Sequence, residues 1–150
     1  MANNNSLIII PTFNEKENVD KMIDAVLELD HSFHVLFVDD NSPDGTAEII
    51  SKRIAGSVGR VHLEKRKGKQ GLGTAYIHGF KWAIKNQYEF VFEMDCDFSH
   101  NPKDLNRLQQ ELKNGADLVI GSRYCSGGKV KNWPFKRILM SYFASVYVRL

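Results

Sequence analysis

Five short apolar runs, each set off from the next by a stretch of helical periodicity, restrict this chain to few architectures. The runs are SLIII (6–10), HVLFV (34–38), RVHLE (60–64), FVFEM (90–94) and ADLVIG (116–121). Between the first two, residues 15–29 place Val19, Met22, Ile23, Val26 and Leu27 on one helical face. Three more helices are predicted: TAEIISKRI (46–54) with Thr46 as N-cap, GTAYIHGFKWAIKN (73–86), and PKDLNRLQQELKNG (102–115), which Pro102 begins and Gly115 stops. The strand runs lack the polar–apolar alternation of half-solvated strands, as expected when both faces are covered. A βαβαβαβαβ order of such strands predicts an α/β fold, a mainly parallel sheet with helices on both faces.

At 150 residues the chain is long enough to bury a core, and no Pro/Gly/Ser-rich linker or repeat divides it, so a single domain over 1–150 is expected. The helix-like pattern KRILMSYFASVYVRL (136–150) runs to the last residue, which reads as a domain truncated at its C-terminal end. A content of 43% apolar and 25% charged residues is that of a soluble globular protein. A net charge of +2 gives no basis for nucleic-acid binding. Cys96 and Cys125 form neither a CxxC nor a zinc-spaced cluster with the five histidines and fit a reducing compartment. MANNNS has no basic n-region, so no signal peptide is expected. The longest apolar-rich stretch, Ile138 to Val148, is far short of the roughly 20 residues that span a bilayer.

In open parallel sheets, ligands bind beyond the carboxyl ends of the strands. Four such ends carry polar groups here: PTFNE after the first strand, DDNSPDG after the second, DCD after the fourth and GSRY after the fifth. Asp95 and Asp97 are two apart, so on an extended backbone they point the same way, about 7 Å apart. Like charges at that spacing repel unless a cation lies between them, or between one of them and a ligand phosphate. Hard oxygen ligands suit Mg²⁺ or Mn²⁺. The competing structural reading is a solvated strand-end loop.

Asp39 and Asp40 face opposite ways, so one can look into the crevice while the other caps the SPDG turn; an inward carboxylate there could accept hydrogen bonds from a base or ribose. The basic stretch KRKGKQGLG (65–73) brings Lys65, Arg66, Lys67 and Lys69 to glycines that open a helix, an arrangement that attracts phosphate. It is no Rossmann fingerprint, because Tyr76 stands where the third glycine belongs, and no GK[ST] makes it a P-loop. A solvated charged loop is the alternative. Arg123 could clamp a phosphate or make a surface ion pair. His78 and His100 read as structural. The aromatic tail from Trp133 to Tyr147 reads as a core-facing helix, with Lys136 and Arg137 keeping an interfacial role open. Together these groups ask for a nucleoside-diphosphate compound with a divalent metal.

PTFNE, VDDNSPDGT, GLGTAYIHGF, MDCDFSHNP and GSRY, in this order, resemble a family 2 glycosyltransferase of the Rossmann-like, nucleotide-sugar-binding GT-A fold, and more narrowly the dolichyl-phosphate or polyprenyl-phosphate mannosyltransferases. The likeness runs from Leu7 to about Arg137, with GLGTAYIHG followed by MDxDxSH its most specific part. It implies that Pro11, Phe13 and Glu15 line the nucleotide pocket, with Phe13 where the family usually has Tyr. Val38 and Asp40 would meet the purine and ribose. Asp95 and Asp97 would hold Mg²⁺ or Mn²⁺ against the diphosphate, with Cys96 between them where the family usually has Ala. Arg123 would contact a donor or acceptor phosphate, and Ser99 matches one variant of the family pattern.

The reaction so implied is inverting transfer of a hexose, mannose from GDP-mannose, to a polyprenyl monophosphate, with Asp97 and Arg123 as catalytic groups. The protein would then be cytoplasmic and peripheral to the membrane surface. The alternative is a donor-nucleotide-binding module with little activity because the acceptor-side segment is missing, giving metal-dependent GDP binding but weak transfer. A nucleotidyltransferase would need a glycine-rich basic motif directly after the first strand, which PTFNE lacks.

Overall fold

The structure, a computed structural model, describes residues 6–122 and 134–148. The chain divides into two compact units, Met1–Leu118 and Val119–Leu150. The first contains strands β1 (Ser6–Thr12), β2 (Phe33–Asp39), β3 (Val61–Lys65) and β4 (Phe90–Glu93), with helices α1 (Val19–Leu27), α2 (Thr46–Ile54), α3 (Leu72–Lys85) and α4 (Asp104–Lys113). The second contains α5 (Phe135–Val148).

The four strands form one parallel sheet in the order β3-β2-β1-β4. Ser6 lies opposite Phe33 on one side and Phe90 on the other, and Val61 lies opposite Val35, so the parallel strands turn their carboxyl ends to one edge. Side-chain alternation splits the apolar runs between two cores. Ile8, Ile10, Val35, Phe37 and Phe92 pack with Met22, Ile23, Ile50 and Leu105 of α1, α2 and α4. Leu7, Ile9, Leu36 and Val38 pack with Ala75 and Ala83 of α3. Both faces of the sheet are therefore dry, which explains why every position of β1 and β2 is apolar or internally bonded.

Helix α3 approaches the sheet closely because its inner stripe is small: Ala75, Gly79 and Ala83, four residues apart. A Cβ on Gly79 would stand 2.6 Å from Ile9 Cγ2. At the opposite end of the sheet, Arg60 is buried and donates to the carbonyl oxygens of Val26, Leu27, Leu29, Asp30 and Phe33. One guanidinium thereby ties the C-terminal end of α1 and the loop after it to the start of β2.

Several expectations need correction. The run 116–121 is not a strand: Leu118 and Ile120 are exposed, and the sheet has four strands rather than five among the described residues. Strand-like composition supplies propensity, but a strand persists only when a neighbour takes up its N–H and C=O groups. Helix α1 begins at Val19 rather than at residue 15, because Glu15 to Asn18 form a turn in which the N–H groups of Asn18 and Val19 both donate to Glu15 O. Gly45, with a positive φ of 93°, is the N-cap of α2, and Thr46 is its first helical residue. Of the described apolar side chains of α5, Phe135, Leu139, Met140, Phe143 and Tyr147 are exposed rather than core-facing and Ile138 is half-buried, and no other described helix or strand belongs to that unit. No described helix is long and apolar enough to cross a membrane.

Candidate active site

The loops after β1, β2 and β4 meet because their strands end at one edge. Met94 N–H donates to Ile9 O at 3.2 Å, which lays residues 95–97 alongside the end of β1. Asp40 N–H donates to Thr12 O at 3.0 Å, fixing the start of the second loop against the first.

The two loops are then stitched by side chains. Asp39 is fully buried; it accepts from Thr12 Oγ1 at 3.0 Å, Ser42 N at 2.9 Å and Ser42 Oγ at 2.6 Å. Asp44 accepts from Lys16 N and from Thr46, and Thr46 Oγ1 in turn accepts from Glu15 N. Asp39 and Asp44 thus serve turn geometry, and Asp40 is the carboxylate left facing the ligand side.

A cavity of about 250 Å³ opens at this edge. Pro11, Thr12, Phe13 and Glu15 line it from the first loop, Asp40 from the second, and Asp95, Cys96 and Asp97 from the third. Lys69, Gly71, Leu72 and Ala75 close it, so the first turn of α3 opens onto it. Seven of the nine expected site residues therefore share one cavity. Val38 does not: it is 0% exposed, in the core between β2 and α3. Its place next to the strand end brings it under the cavity, while alternation turns its side chain into the packed layer. Arg123 lies outside the described residues.

Strand β4 ends at Glu93, so Asp95 and Asp97 sit in a loop, not on the extended backbone expected for them. Both still reach the same space, helped by Phe98 in the left-handed region at φ 59°. Asp97 Oδ1 accepts from Ser99 N at 2.9 Å. The Ser99 backbone N–H and hydroxyl, with His100 nearby, hold the Asp97 carboxyl below the usual range, so it is ionised. Asp95 Oδ1 lies 3.5 Å from the Tyr76 hydroxyl, and Oδ2 lies 3.9 Å from His100 Nδ1. Burial, and then the charge of Asp95, keep the Tyr76 hydroxyl protonated well above its ordinary range.

Asp95 and Asp97 form no salt bridge with Lys or Arg among the described residues. Their free oxygens are hard donors, and among the described residues the cavity wall adds only Lys69 against Glu15, Asp40, Asp95 and Asp97. A divalent cation fits that donor set and that charge imbalance. Among the described residues no three His, Cys, Asp or Glu side chains form a cage for a metal unaided, so ligand oxygens would have to complete the shell.

Two cationic residues at or behind the wall were not foreseen individually. Lys69 Nζ stands 4.7 Å from the Phe13 ring centroid, a cation–π contact across the mouth of the cavity. Arg66 binds Asp40 through two hydrogen bonds, Nε to Oδ1 at 2.5 Å and Nη2 to Oδ2 at 2.7 Å. The basic stretch flagged both residues, but nothing in it told the buried cation from the exposed one.

The glycosyl transferase family 2 profile matches residues 7–148. The chain belongs to that family. Within it, the chain is 44% identical to the polyprenol monophosphomannose synthase of Mycolicibacterium smegmatis over 96% of its own length and 54% of the relative's. It is 46% identical to the undecaprenyl-phosphate mannosyltransferase of Micrococcus luteus, over 96% of this chain and 58% of that one. It is 40% identical to the dolichol-phosphate mannosyltransferase of Pyrococcus furiosus, over 95% and 40%. The chain spans about half the length of these curated relatives. The crystal structure of S. aureus TarS, residues 1–349, shares the fold at a TM-score of 0.62 and 20% identity, over 80% of this chain and 39% of that one. The fold is the GT-A fold of glycosyltransferases.

Proposed function

We propose that this family 2 domain takes part in the inverting transfer of mannose from GDP-mannose to a polyprenyl monophosphate at the membrane surface. The observation that carries the reading is the convergence of Asp40, Glu15, Asp95 and Asp97 on one cavity at the carboxyl edge of the sheet. It occurs in a chain whose relatives are named as mannosyltransferases acting on polyprenol-type phosphates.

In this reading Asp40 accepts hydrogen bonds from the neutral donors of the nucleoside, and Phe13 supplies an apolar wall beside it. Asp95 and Asp97 would hold Mg²⁺ or Mn²⁺, which when bound would offset the charge of the diphosphate leaving group. Lys69 and the backbone N–H groups at the start of α3 add positive potential on the same side. The acceptor phosphate is already anionic, so the nucleophile needs no general base, and catalysis reduces to alignment and charge stabilisation. A single in-line displacement inverts the anomeric carbon. Arg123 is assigned to a phosphate of donor or acceptor, and Cys96 to the packed floor between the carboxylates. A lipid-linked acceptor requires a membrane surface, and the exposed aromatic side chains of α5 beside Lys136 suit an interfacial helix.

The test is calorimetry with GDP in the presence of Mn²⁺ and of EDTA. Binding should need the metal, and Asp97→Asn should weaken it at least about tenfold, since one charge-assisted contact is worth about 1.5–3 kcal/mol. Metal-independent binding of equal strength, or no heat from folded protein, refutes the reading. Mannose transfer to undecaprenyl phosphate then tests the reaction itself.

A further inference from the structure

Arg66 is a buried cation that the proposed site does not use directly. It follows β3, and its backbone N–H donates to Asp39 O at 2.8 Å. Besides the fork to Asp40, Nη1 donates to Thr74 Oγ1 at 2.7 Å, and Nη2 lies 3.3 Å from Gly71 O. The Arg66 side chain is 6% exposed and that of Asp40 9%. Asp40 and Gly71 reach the cavity wall, whereas Arg66 does not. The guanidinium therefore stands behind the wall and joins the end of β2 to the first turn of α3.

Each carboxylate oxygen has two acceptor positions; the fork takes one on each, and the Gln70 backbone N–H, 3.4 Å from Oδ2, takes the second there, so the remaining acceptor position is on Oδ1. Asp40 keeps acceptor capacity toward the cavity while its charge is cancelled from behind. Asp95 and Asp97 have no such guanidinium among the described residues. The cavity thus has a charge-compensated end at Asp40 and a negative end at Asp95 and Asp97.

We propose that Arg66 is a positioning residue for the nucleoside half of the donor. It fixes the orientation of Asp40 and neutralises it, so that uncharged N–H or O–H donors of base or ribose are read there, while cation and diphosphate are held at the other end. Because the same guanidinium holds Thr74 and Gly71, the nucleoside reader and the start of α3 are set as one unit. The inference rests on the nucleotide-site reading above. A ligand that displaced Arg66 from Asp40 would strip a buried cation of its ionic partner and leave the acceptors on Thr74 and Gly71 with a detached donor, which is costly.

The test uses two probes with Mn²⁺, GDP and inorganic pyrophosphate, on wild type, Arg66→Met, Arg66→Lys and Thr74→Val. Arg66→Met and Arg66→Lys should weaken GDP binding by about tenfold to a hundredfold, the lysine failing to rescue because it lacks the planar fork. Thr74→Val, at an exposed position, should weaken it about threefold, less than the Arg66 variants because it removes one of the contacts that hold the guanidinium and leaves the fork to Asp40 in place. Pyrophosphate binding should stay within about twofold throughout, since pyrophosphate does not reach Asp40, whereas general loosening would weaken both probes alike. Should the Arg66 variants fail to fold, Thr74→Val decides. Unchanged GDP affinity, tighter GDP binding, or equal losses on both probes overturns the inference alone. A wild type that binds neither probe overturns it together with the functional reading.

Discussion

Val58 occupies backbone that valine seldom tolerates. It lies in the turn between α2 and β3 with φ at 52°, is 93% exposed, and is followed by Gly59 at φ 77°. A β-branched residue in the left-handed region is strained by about 1–2 kcal/mol, and no burial repays it here. Val58→Asn, which suits that region, should stabilise the protein by about 1 kcal/mol in urea unfolding; an unchanged or lower midpoint contradicts this. Cys96 has the opposite setting. Burial first, then the negative charges of Glu15 and Asp97, push its thiol up to about 12. Only the thiolate is nucleophilic. Peptide mass spectrometry after iodoacetamide treatment at pH 8 should find Cys96 unmodified in folded protein and alkylated in urea; equal labelling in both would show that the thiol is not buried as described.

At the scale of the element, α3 is set by its glycine. A Gly→Ala change inside a helix ordinarily gains about 1 kcal/mol. At Gly79 the new methyl would meet Ile9 Cγ2 at 2.6 Å and Cδ1 at 2.8 Å, in the central part of β1. Overpacking of this kind costs about 1–3 kcal/mol, so the sign should reverse and Gly79→Ala should lower the melting temperature. Combining it with Ile9→Ala should recover part of the loss beyond additivity; strictly additive effects would refute the contact. The first turn of α3 lines the cavity, so any lift of the helix also widens the site.

For the whole molecule, the end of the sheet away from the cavity sets a pH limit. His34 Nδ1 lies 2.8 Å from the Tyr88 hydroxyl, which is also 3.4 Å from His62 Nε2, and Trp82 stacks against Tyr88. Burial, then His62 and Arg60, lower the pKa of His34 to about 4, and burial lowers that of His62 as well. Well above pH 6.5 both histidines are neutral, folded or unfolded, and their contribution is complete. As the pH falls toward 4 the unfolded chain takes up protons that the folded chain refuses, so stability drops, by at most about 3 kcal/mol for His34. Asp97, lowered in the folded state, adds its own loss only at still lower pH. Urea midpoints measured from pH 7 to 4 should fall steadily, and His34→Gln should flatten the slope without abolishing it; a flat wild-type profile rules the cluster out as its cause.

The order of the first four strands and the helices between and after them, the parallel sheet and the meeting of Asp40, Asp95 and Asp97 at one rim were legible in the sequence. Apolar periodicity records which faces are buried, and a parallel sheet necessarily puts every strand's carboxyl end on one edge. The tertiary structure alone decided that Val38 packs under α3, that 116–121 pairs with no strand, and that Arg66 holds Asp40 across 26 positions of sequence. Each of these depends on a partner distant in the chain, and local pattern carries the propensity of a residue but not the identity of what it touches.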